Sequence, residues 1–592
     1  MIGSVFMETE SKKNGSQAFL QGALILTISM LIVKVIGAVF KIPLFRILTA
    51  EGYGYFTAAY DLYNPLFTIA TAGFPIAIAK MVSENITRKR FRDVRQIHKV
   101  SIPIFAVMGI VGFLLMFGGT FLYVQMIKMP NAKLVTLTLS PTILFACLMA
   151  IYRGYYEGMR NMIPTAISEV IEAVCKLTIG ISASSFVLAK GMDEYYKYST
   201  VFGVHYETEA MARSAILPYA AACAISGITV GSFVGFIYLF IKYKKSGDGI
   251  TKIDLKYSPK PMSVKKTVNR LVKIAIPVAI GALVMNIASL IDSILVNNRL
   301  YDVLNSHGKI LLTEYQGLIT PELIAADKAH TTLYGCYGTA TTIMMLIPAI
   351  TQTFGISALP TVTAAWTKGV YKEIKSSIES VMRVTMLVTI PAGLGLSVMA
   401  KPIMELLYLK ANNQPEVDVA ASVLTTLGIA AIFTSTSTPL CSMLQAVGRV
   451  DLPVKLLSIG VVIKILLNYT LVGIPEINIQ GAGVGTLICY IFITVSAIYL
   501  LCKETHVVPN MVTVFIKPLL SSICSALSAY ISYNLFDKIM PQKISTILAL
   551  FVAVLVYVVA LFLFRAITKK DIRMLPKGKK LVKVLEKYNL IR

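Results

Sequence analysis

Apolar and polar stretches alternate along the whole chain, and fourteen apolar segments are separated by polar loops. Each segment can cross a hydrocarbon core about 30 Å thick, which takes roughly 20 residues of helix. A helix satisfies its own backbone hydrogen bonds and is therefore the element expected inside lipid. The pattern predicts an all-α polytopic membrane protein with 14 transmembrane helices, spans 1–14, at 20–48, 55–82, 101–126, 133–155, 163–188, 214–241, 270–298, 330–358, 380–400, 418–444, 453–473, 480–502, 510–535 and 544–566.

Basic residues concentrate in alternate loops. Six lie within 88–99, nine within 242–270 and ten after residue 564, whereas the loops 189–213 and 299–329 each hold three basic and four acidic residues. Because Lys and Arg favour the cytoplasmic side, both termini are expected in the cytoplasm of a multi-pass cell-membrane protein. An even number of spans also requires both termini to lie on the same side of the membrane.

The net charge of +25 falls mainly in these short loops, where it orients the protein and attracts anionic headgroups. A nucleic-acid partner is therefore not expected. The eight cysteines lie almost all within spans and without paired spacing, which predicts neither disulfides nor a metal site. The chain has no phosphate-binding glycine loop, so we expect no ATP hydrolysis and no cofactor.

The two halves of the chain resemble one another weakly. Span 4 leads into span 5 through 158–164, and span 10 leads into span 11 through the similar 447–453, each with Arg four residues before Pro. Spans 2 and 8 also correspond, which favours two parallel six-span repeats plus two spans over two units of seven. The predicted divisions are a cytoplasmic lead 1–19, an N-lobe 20–241, a basic linker 242–269, a C-lobe 270–502, two added spans 503–566 and a basic tail 567–592.

Two lysines lie within span 1, where an ionisable side chain is costly and usually faces a cavity. Lys34 and Lys41 are seven residues apart and share a helix face, with Arg46 near the outer end of the span. Snorkelling explains a terminal cation such as Arg46, but it does not explain Lys34 near the middle of the bilayer. Two ammonium groups facing a cleft suit an anionic ligand such as a diphosphate.

Further ionisable residues suggest that the cleft is polar and offers coupling sites. Glu169, Glu172 and Lys176 have helical spacing in span 5, and a simple Glu172–Lys176 pair that neutralises itself is the alternative. The others are Asp61 at the outer end of span 2, Asp292 in span 7 and Lys464 in span 11.

Several small or helix-bending residues are candidate hinges. Gly37 removes side-chain bulk and is expected to let a neighbouring helix approach. Pro43 and Pro65 are expected to bend spans 1 and 2. Gly73 and Pro75 form a break within span 2.

The chain resembles the multidrug/oligosaccharidyl-lipid/polysaccharide (MOP) exporter superfamily, particularly the Gram-positive branch of stage V sporulation protein B and lipid II flippase types. The resemblance covers essentially the whole chain. Its motifs are 33–37, 41–44, 51–56, 64–66, 71–80, 154–159, 164–168 and 445–449.

This resemblance implies two six-helix lobes in a V, with spans 13 and 14 forming a groove for a polyprenyl tail. It implies a flippase that moves an undecaprenyl-diphosphate-linked glycan, such as lipid II, across the membrane by alternating access. Lys34 and Lys41 match cavity cations of the family. Phe67, Thr68 and the run 338–340 are neutral where relatives carry cations, which leaves other lipid-linked glycans open.

Two alternatives remain. A cation-coupled MATE-like multidrug exporter would use the acidic residues of the spans. A membrane glycosyltransferase would need catalytic carboxylates on a loop, and no Asp-x-Asp pattern occurs. We expect a monomer in the bilayer that draws on a coupling ion or the membrane potential.

Overall fold

Long helices follow the apolar segments of the sequence. The computed structural model describes residues 2–71, 73–410 and 413–567, with side chains from residue 29 onward except at scattered helical positions. The first helices are α1 (Ile2–Thr71), α2 (Phe74–Thr87), α3 (Phe91–Met126), α4 (Ala132–Leu139), α5 (Pro141–Gly158) and α6 (Ile163–Tyr198). Next come the strands β1 (Thr200–Val201) and β2 (Val204–His205), then α7 (Glu209–Ser246), α8 (Lys252–Tyr257) and α9 (Val264–Glu314).

The second half of the chain is helical as well. Its helices are α10 (Pro321–Ala325), α11 (Ala329–Met344), α12 (Leu346–Lys368), α13 (Tyr371–Val398), α14 (Ala400–Tyr408), α15 (Gln414–Ala446), α16 (Asp451–Leu471), α17 (Ile479–Thr505), a π-helical turn Val512–Ile516, α18 (Lys517–Phe536) and α19 (Gln542–Leu563). The predicted basic tail lies outside the described residues from position 568 onward.

Eleven stretches in the described part of the chain are long and apolar enough to cross a membrane. They correspond to the predicted spans 3–6 and 8–14, which confirms a multi-span membrane protein. Spans 1, 2 and 7 fall in α1, α2 and α9, so the count of fourteen stays a prediction.

Helix α1 holds both span 1 and most of span 2 and has a corner at Thr49, whose φ is 57°. A β-branched residue rarely adopts this left-handed conformation. The corner is fixed by the buried Glu51 carboxylate, which accepts hydrogen bonds from the hydroxyls of Tyr55 (2.9 Å) and Ser214 (2.7 Å). Pro43 and Pro65 both lie inside α1, so the sharp change of direction occurs at neither proline.

Span 2 is interrupted at the predicted motif. Helix α1 ends at Thr71, and α2 begins at Phe74 with Pro75 in its first turn. A Cβ on Gly73 would collide with the carbonyl oxygen of Ala275 on α9. The glycine is therefore required by close backbone contact between α2 and α9.

Corresponding helices of the two halves make similar contacts. In the first half, α2 packs on α5, and a Cβ on Gly154 would lie 2.7 Å from the Pro75 carbonyl oxygen. In the second half α12 packs on α15, with Gly355 against Ser442. Span 8 is also interrupted, at Met345 between α11 and α12, which is earlier in the repeat than the break at Gly73.

The chain divides into two compact units, Met1–Ile294 and Leu295–Arg592. The division falls within α9, later than the lobe boundary that we predict at residue 270. In the second unit, Met382 and Met386 of α13 pack in one core with Met443 and Leu444 of α15.

The predicted basic linker is bound to the N-terminal end of α3 in the first unit. Arg95 forms an ion pair with Asp248 at 2.7 Å and also donates to the carbonyl oxygen of Ile250. Arg92 donates to the carbonyl oxygen of Leu255 in α8. Arg270 at the start of span 7 pairs with Glu84 of α2.

Candidate functional site

The second leg of α1 has an accessible face that is polar. Its accessible residues recur at helical spacing on one side of the helix. They are Thr57, Tyr60, Asp61, Asn64, Phe67, Thr68 and Thr71. Leu66 and Ile69 are also accessible but lie on a different side.

The exposed face of α3 is entirely different. Its exposed large hydrophobic side chains are Ile102, Val107, Ile110, Val111, Leu114, Leu115, Phe117, Phe121, Leu122 and Met126. Its exposed polar side chains, Arg95, Lys99 and Gln125, lie near the two ends of the helix. Such a surface is the one expected against lipid, whereas polar groups in a span usually line a water-filled cavity. The accessible side of the second leg of α1 is therefore more polar than the exposed side of α3.

A lysine of α6 meets this polar face. The Lys176 ammonium donates a hydrogen bond of 3.0 Å to the Tyr60 hydroxyl. It also lies 4.9 Å from the ring centroid of Phe40 and 5.3 Å from that of Tyr60. Aromatic faces attract an ammonium group electrostatically and stabilise its charge within the span.

Lys41 of span 1 is close enough to Lys176 for the two charges to repel. Two like charges near one another within a span are costly unless an anion or other counter-charge compensates them. Their proximity joins spans 1 and 5 at one cationic position.

Lys34 lies two helical turns before Lys41 on the same face and is exposed. A Cβ on Gly37, between the two lysines, would meet no described atom within 4 Å. The described residues thus place no neighbouring helix against Gly37, and its role as a hinge stays a prediction. Arg46 is half-buried near the corner at Thr49.

Glu172 pairs with an arginine that the sequence analysis missed. The Arg153 guanidinium of α5 lies 2.5 Å from the Glu172 carboxylate and donates through Nε to Ser168 at 2.9 Å. Ser232 of α7 donates to the other Glu172 oxygen at 2.7 Å. Within the described part of the chain, Lys176 has a tyrosine hydroxyl rather than Glu172 as its hydrogen-bond partner.

The remaining candidates lie at separate places. Glu169 accepts a hydrogen bond of 3.3 Å from Ser29 of span 1, and Asp61 accepts one of 2.9 Å from Ser293 of α9. Asp292 is buried in α9. Lys464 lies in the second unit near Tyr490.

Among the described residues, no group of three His, Cys, Asp or Glu side chains could hold a metal ion. All eight cysteines lie in the described part of the chain and are free thiols. The groups at the polar face are the Lys176 ammonium, hydroxyls, an amide, aromatic rings and the Asp61 carboxylate.

Two family models match successive parts of the chain. The model described as "Polysaccharide biosynthesis protein" matches residues 19–304, and the model described as "Lipid II flippase MurJ" matches residues 326–555. The resemblance drawn from the sequence is confirmed. Stage V sporulation protein B of Bacillus subtilis is 22% identical over 95% of this chain and 98% of its own.

Another relative is the lipid II flippase MurJ of Bacillus subtilis, 25% identical over 80% of this chain and 81% of its own. A solved lipid II flippase MurJ in an inward closed conformation has a TM-score of 0.56 at 15% identity, covering 91% of this chain and 98% of that one. An inward-facing MATE family transporter of the MOP superfamily has a TM-score of 0.55 at 14% identity, covering 80% and 98%. These structures share the fold with this chain.

Proposed function

We propose that this chain is a transporter that moves a polyprenyl-diphosphate-linked glycan, either lipid II or a related lipid-linked oligosaccharide, across the cell membrane by alternating access. The single observation that carries this proposal is the cationic pair Lys41 and Lys176 beside the polar face of span 2. The flippase relatives support the same function, and they are transporters rather than enzymes.

The chemistry of the pair favours a diphosphate. Lysine ammonium groups are compact point charges. Two of them close together, one in span 1 and one in span 5, are stabilised most by an anion that carries more than one charge. Lys34, exposed on the same face of span 1, adds a third cation about 10 Å from Lys41 along the helix, at 1.5 Å per residue. A lipid diphosphate moving along span 1 would meet both.

A cation-coupled drug exporter receives less support. Such a transporter needs carboxylates free to bind a cationic drug or a coupling ion. Here Glu172 is paired with Arg153 and Ser232, and Asp61 accepts from Ser293. The MATE structure supports the fold alone.

The finer architecture belongs to this proposal. It includes fourteen spans, six in each lobe and two at the C-terminal end, with both termini in the cytoplasm as the loop charges favour. Spans 13 and 14 would accommodate the polyprenyl tail, and the transporter would act as a monomer. The membrane potential is a sufficient driving force for a charged lipid, at about 2.3 kcal/mol per charge per 100 mV.

Complementation tests the proposal. The chain is expressed in a bacterium depleted of its own lipid II flippase, and survival is scored beside membrane abundance. Rescue by the wild type and loss of rescue by Lys41→Ala at equal abundance are expected. If the wild type reaches the membrane but restores no growth, and drug resistance rises instead, lipid II transport is contradicted.

A further inference from the structure

Beyond the cationic pair, the polar face of span 2 continues for two more helical turns. The Asn64 side chain is exposed, and within the described residues its amide has no hydrogen-bond partner. The Thr68 hydroxyl, one turn further on, donates a hydrogen bond of 2.8 Å to the Asn64 carbonyl oxygen, so its lone pairs stay available to accept hydrogen bonds. Phe67 stacks on the buried Tyr63 at 5.0 Å and presents its accessible part on the same side.

This combination of groups is unsuited to lipid. An amide without a partner loses hydrogen bonds to water when it is placed in hydrocarbon, at a cost of several kcal/mol on apolar-solvent scales. A polar ligand would satisfy it. The face has no accessible charge between Tyr60 and Thr71 except Asp61, whose carboxylate accepts from Ser293.

A sugar ring matches the chemistry of this face. Its hydroxyls can donate to and accept from the Asn64 side-chain amide and can donate to the Thr68 hydroxyl oxygen. Its C–H face is apolar and can lie against the Phe67 ring. A cationic drug would instead require a free carboxylate, and a peptide would require more than one open amide.

The spacing also fits the first sugar of a lipid-linked glycan. Tyr60, which holds Lys176, and Phe67 are seven residues apart, or about 10 Å along the helix axis. Asn64 lies one turn beyond Tyr60 and so nearer to the cations than Phe67. A diphosphate at Lys41 and Lys176 would therefore place its attached sugar beside Asn64.

We infer that Asn64, Phe67 and Thr68 bind the sugar nearest the diphosphate and make this protein prefer glycosylated polyprenyl diphosphate to the bare lipid. The inference rests on the proposed function. It assigns the discrimination between the glycosylated lipid and the bare polyprenyl diphosphate to span 2. Lys41 and Lys176 bind the diphosphate, which both lipids carry. The polar face binds the sugar, which only the glycosylated lipid carries.

A binding comparison tests this inference. The purified full chain is titrated with undecaprenyl diphosphate and with the same lipid carrying one sugar. The wild type should bind the glycosylated lipid more tightly. Asn64→Leu and Phe67→Leu should each reduce that preference by roughly fivefold, the worth of one or two hydrogen bonds or a ring contact, and leave affinity for the bare lipid unchanged. Thr68→Val, which keeps the shape of the side chain, should act in the same direction.

Control and failure outcomes are distinct. Phe117→Leu, on the exposed apolar face of α3, should leave both affinities unchanged. Equal affinity of the wild type for both lipids would overturn the sugar face and leave the proposed transport intact. An equal loss for both lipids in Asn64→Leu would assign the residue to the diphosphate instead. Failure of the wild type to bind either lipid would overturn the proposed function itself.

Discussion

The Lys176 ammonium of span 5 is hydrogen-bonded to the Tyr60 hydroxyl of span 2 at 3.0 Å, with Lys41 of span 1 close by. Three spans therefore converge on one cationic position. Tyr60 orients the ammonium group without neutralising it, which a carboxylate partner would do. The Glu172 carboxylate attracts the same ammonium group electrostatically but is not its hydrogen-bond partner.

Removal of the Lys176 charge should abolish transport, because Lys41 alone would hold the diphosphate with half the local charge. Lys176→Ala is expected to lower the transport rate at least tenfold at unchanged membrane abundance. Tyr60→Phe, which loses only the hydrogen bond, should have a smaller effect of about 0.5–1.5 kcal/mol on substrate binding. Lys190→Ala, at an exposed position further along α6, is the control. Full transport by Lys176→Ala would remove Lys176 from the site.

The Arg153–Glu172 pair should stabilise the fold. Arg153→Ala leaves the Glu172 carboxylate without its ion-pair partner within a span and is expected to destabilise the protein by roughly 2 kcal/mol. Glu172→Gln in the same background should restore part of that loss, since the uncompensated charge is gone. Thermal unfolding of the four variants of this double-mutant cycle measures the coupling. Additive effects would mean that the two side chains do not interact.

Gly73 and Gly37 form a matched pair of glycines. Gly73→Ala places a methyl group against the Ala275 carbonyl oxygen, a backbone atom that cannot rotate away, so folded yield and thermal stability should fall. Gly37→Ala meets open space and should be tolerated, with a slight gain from higher helix propensity, up to about 1 kcal/mol. The order of the two melting temperatures is the measurement. An equal effect of both substitutions is incompatible with the close approach at Gly73.

The Arg95–Asp248 ion pair should hold the basic linker against α3. Burial raises the pKa of the Asp248 carboxyl, but hydrogen bonds from Arg95 and the Ile250 amide outweigh burial and lower that pKa below its ordinary value. The stabilisation is therefore present above the ordinary carboxyl pKa and is lost as the pH falls through the lowered value.

Asp248→Ala should accordingly increase trypsin cleavage at Lys252 and Lys256 at pH 7. The difference in thermal stability between Asp248→Ala and the wild type should disappear as the pH falls below the lowered pKa. Asp193→Asn, in an exposed pair near the C-terminal end of α6, controls for loss of a carboxylate elsewhere. Unchanged cleavage in Asp248→Ala would mean that the linker is held by other contacts.

Hydrophobic patterning predicts the spans well because lipid imposes both the length and the apolar character of a crossing helix. Eleven spans of the described chain follow it, and the break at Gly73 and Pro75 follows from local chemistry. The corner at Thr49 does not follow from local chemistry. Proline is the usual cause of a helix bend, which would favour Pro43 or Pro65. The corner is instead held by the buried Glu51 carboxylate, whose partner Ser214 is distant in the sequence.

The site itself was predicted in part. Helical spacing correctly puts Lys34 and Lys41 on one face, but it pairs Lys176 with Glu172 as a possible neutral couple. The partners that decide the matter, Tyr60 and Arg153, come from other helices. Arg153 was detectable from the sequence, because it lies just inside the predicted end of span 4. An ionisable side chain within a span is costly, which is the reason that singled out Lys34. The role of Asn64 gives no signal in a single sequence.

The most direct test of the central claim is a flipping measurement in proteoliposomes. The full chain is reconstituted with a fluorescent undecaprenyl-diphosphate-linked saccharide, and a membrane-impermeant quencher reports how fast the lipid reaches the outer leaflet. We predict flipping by the wild type and by Lys190→Ala, and none above protein-free vesicles by the Lys41→Ala, Lys176→Ala double variant. Wild-type flipping that persists undiminished in the double variant, or no flipping by the wild type, would contradict a diphosphate site at Lys41 and Lys176.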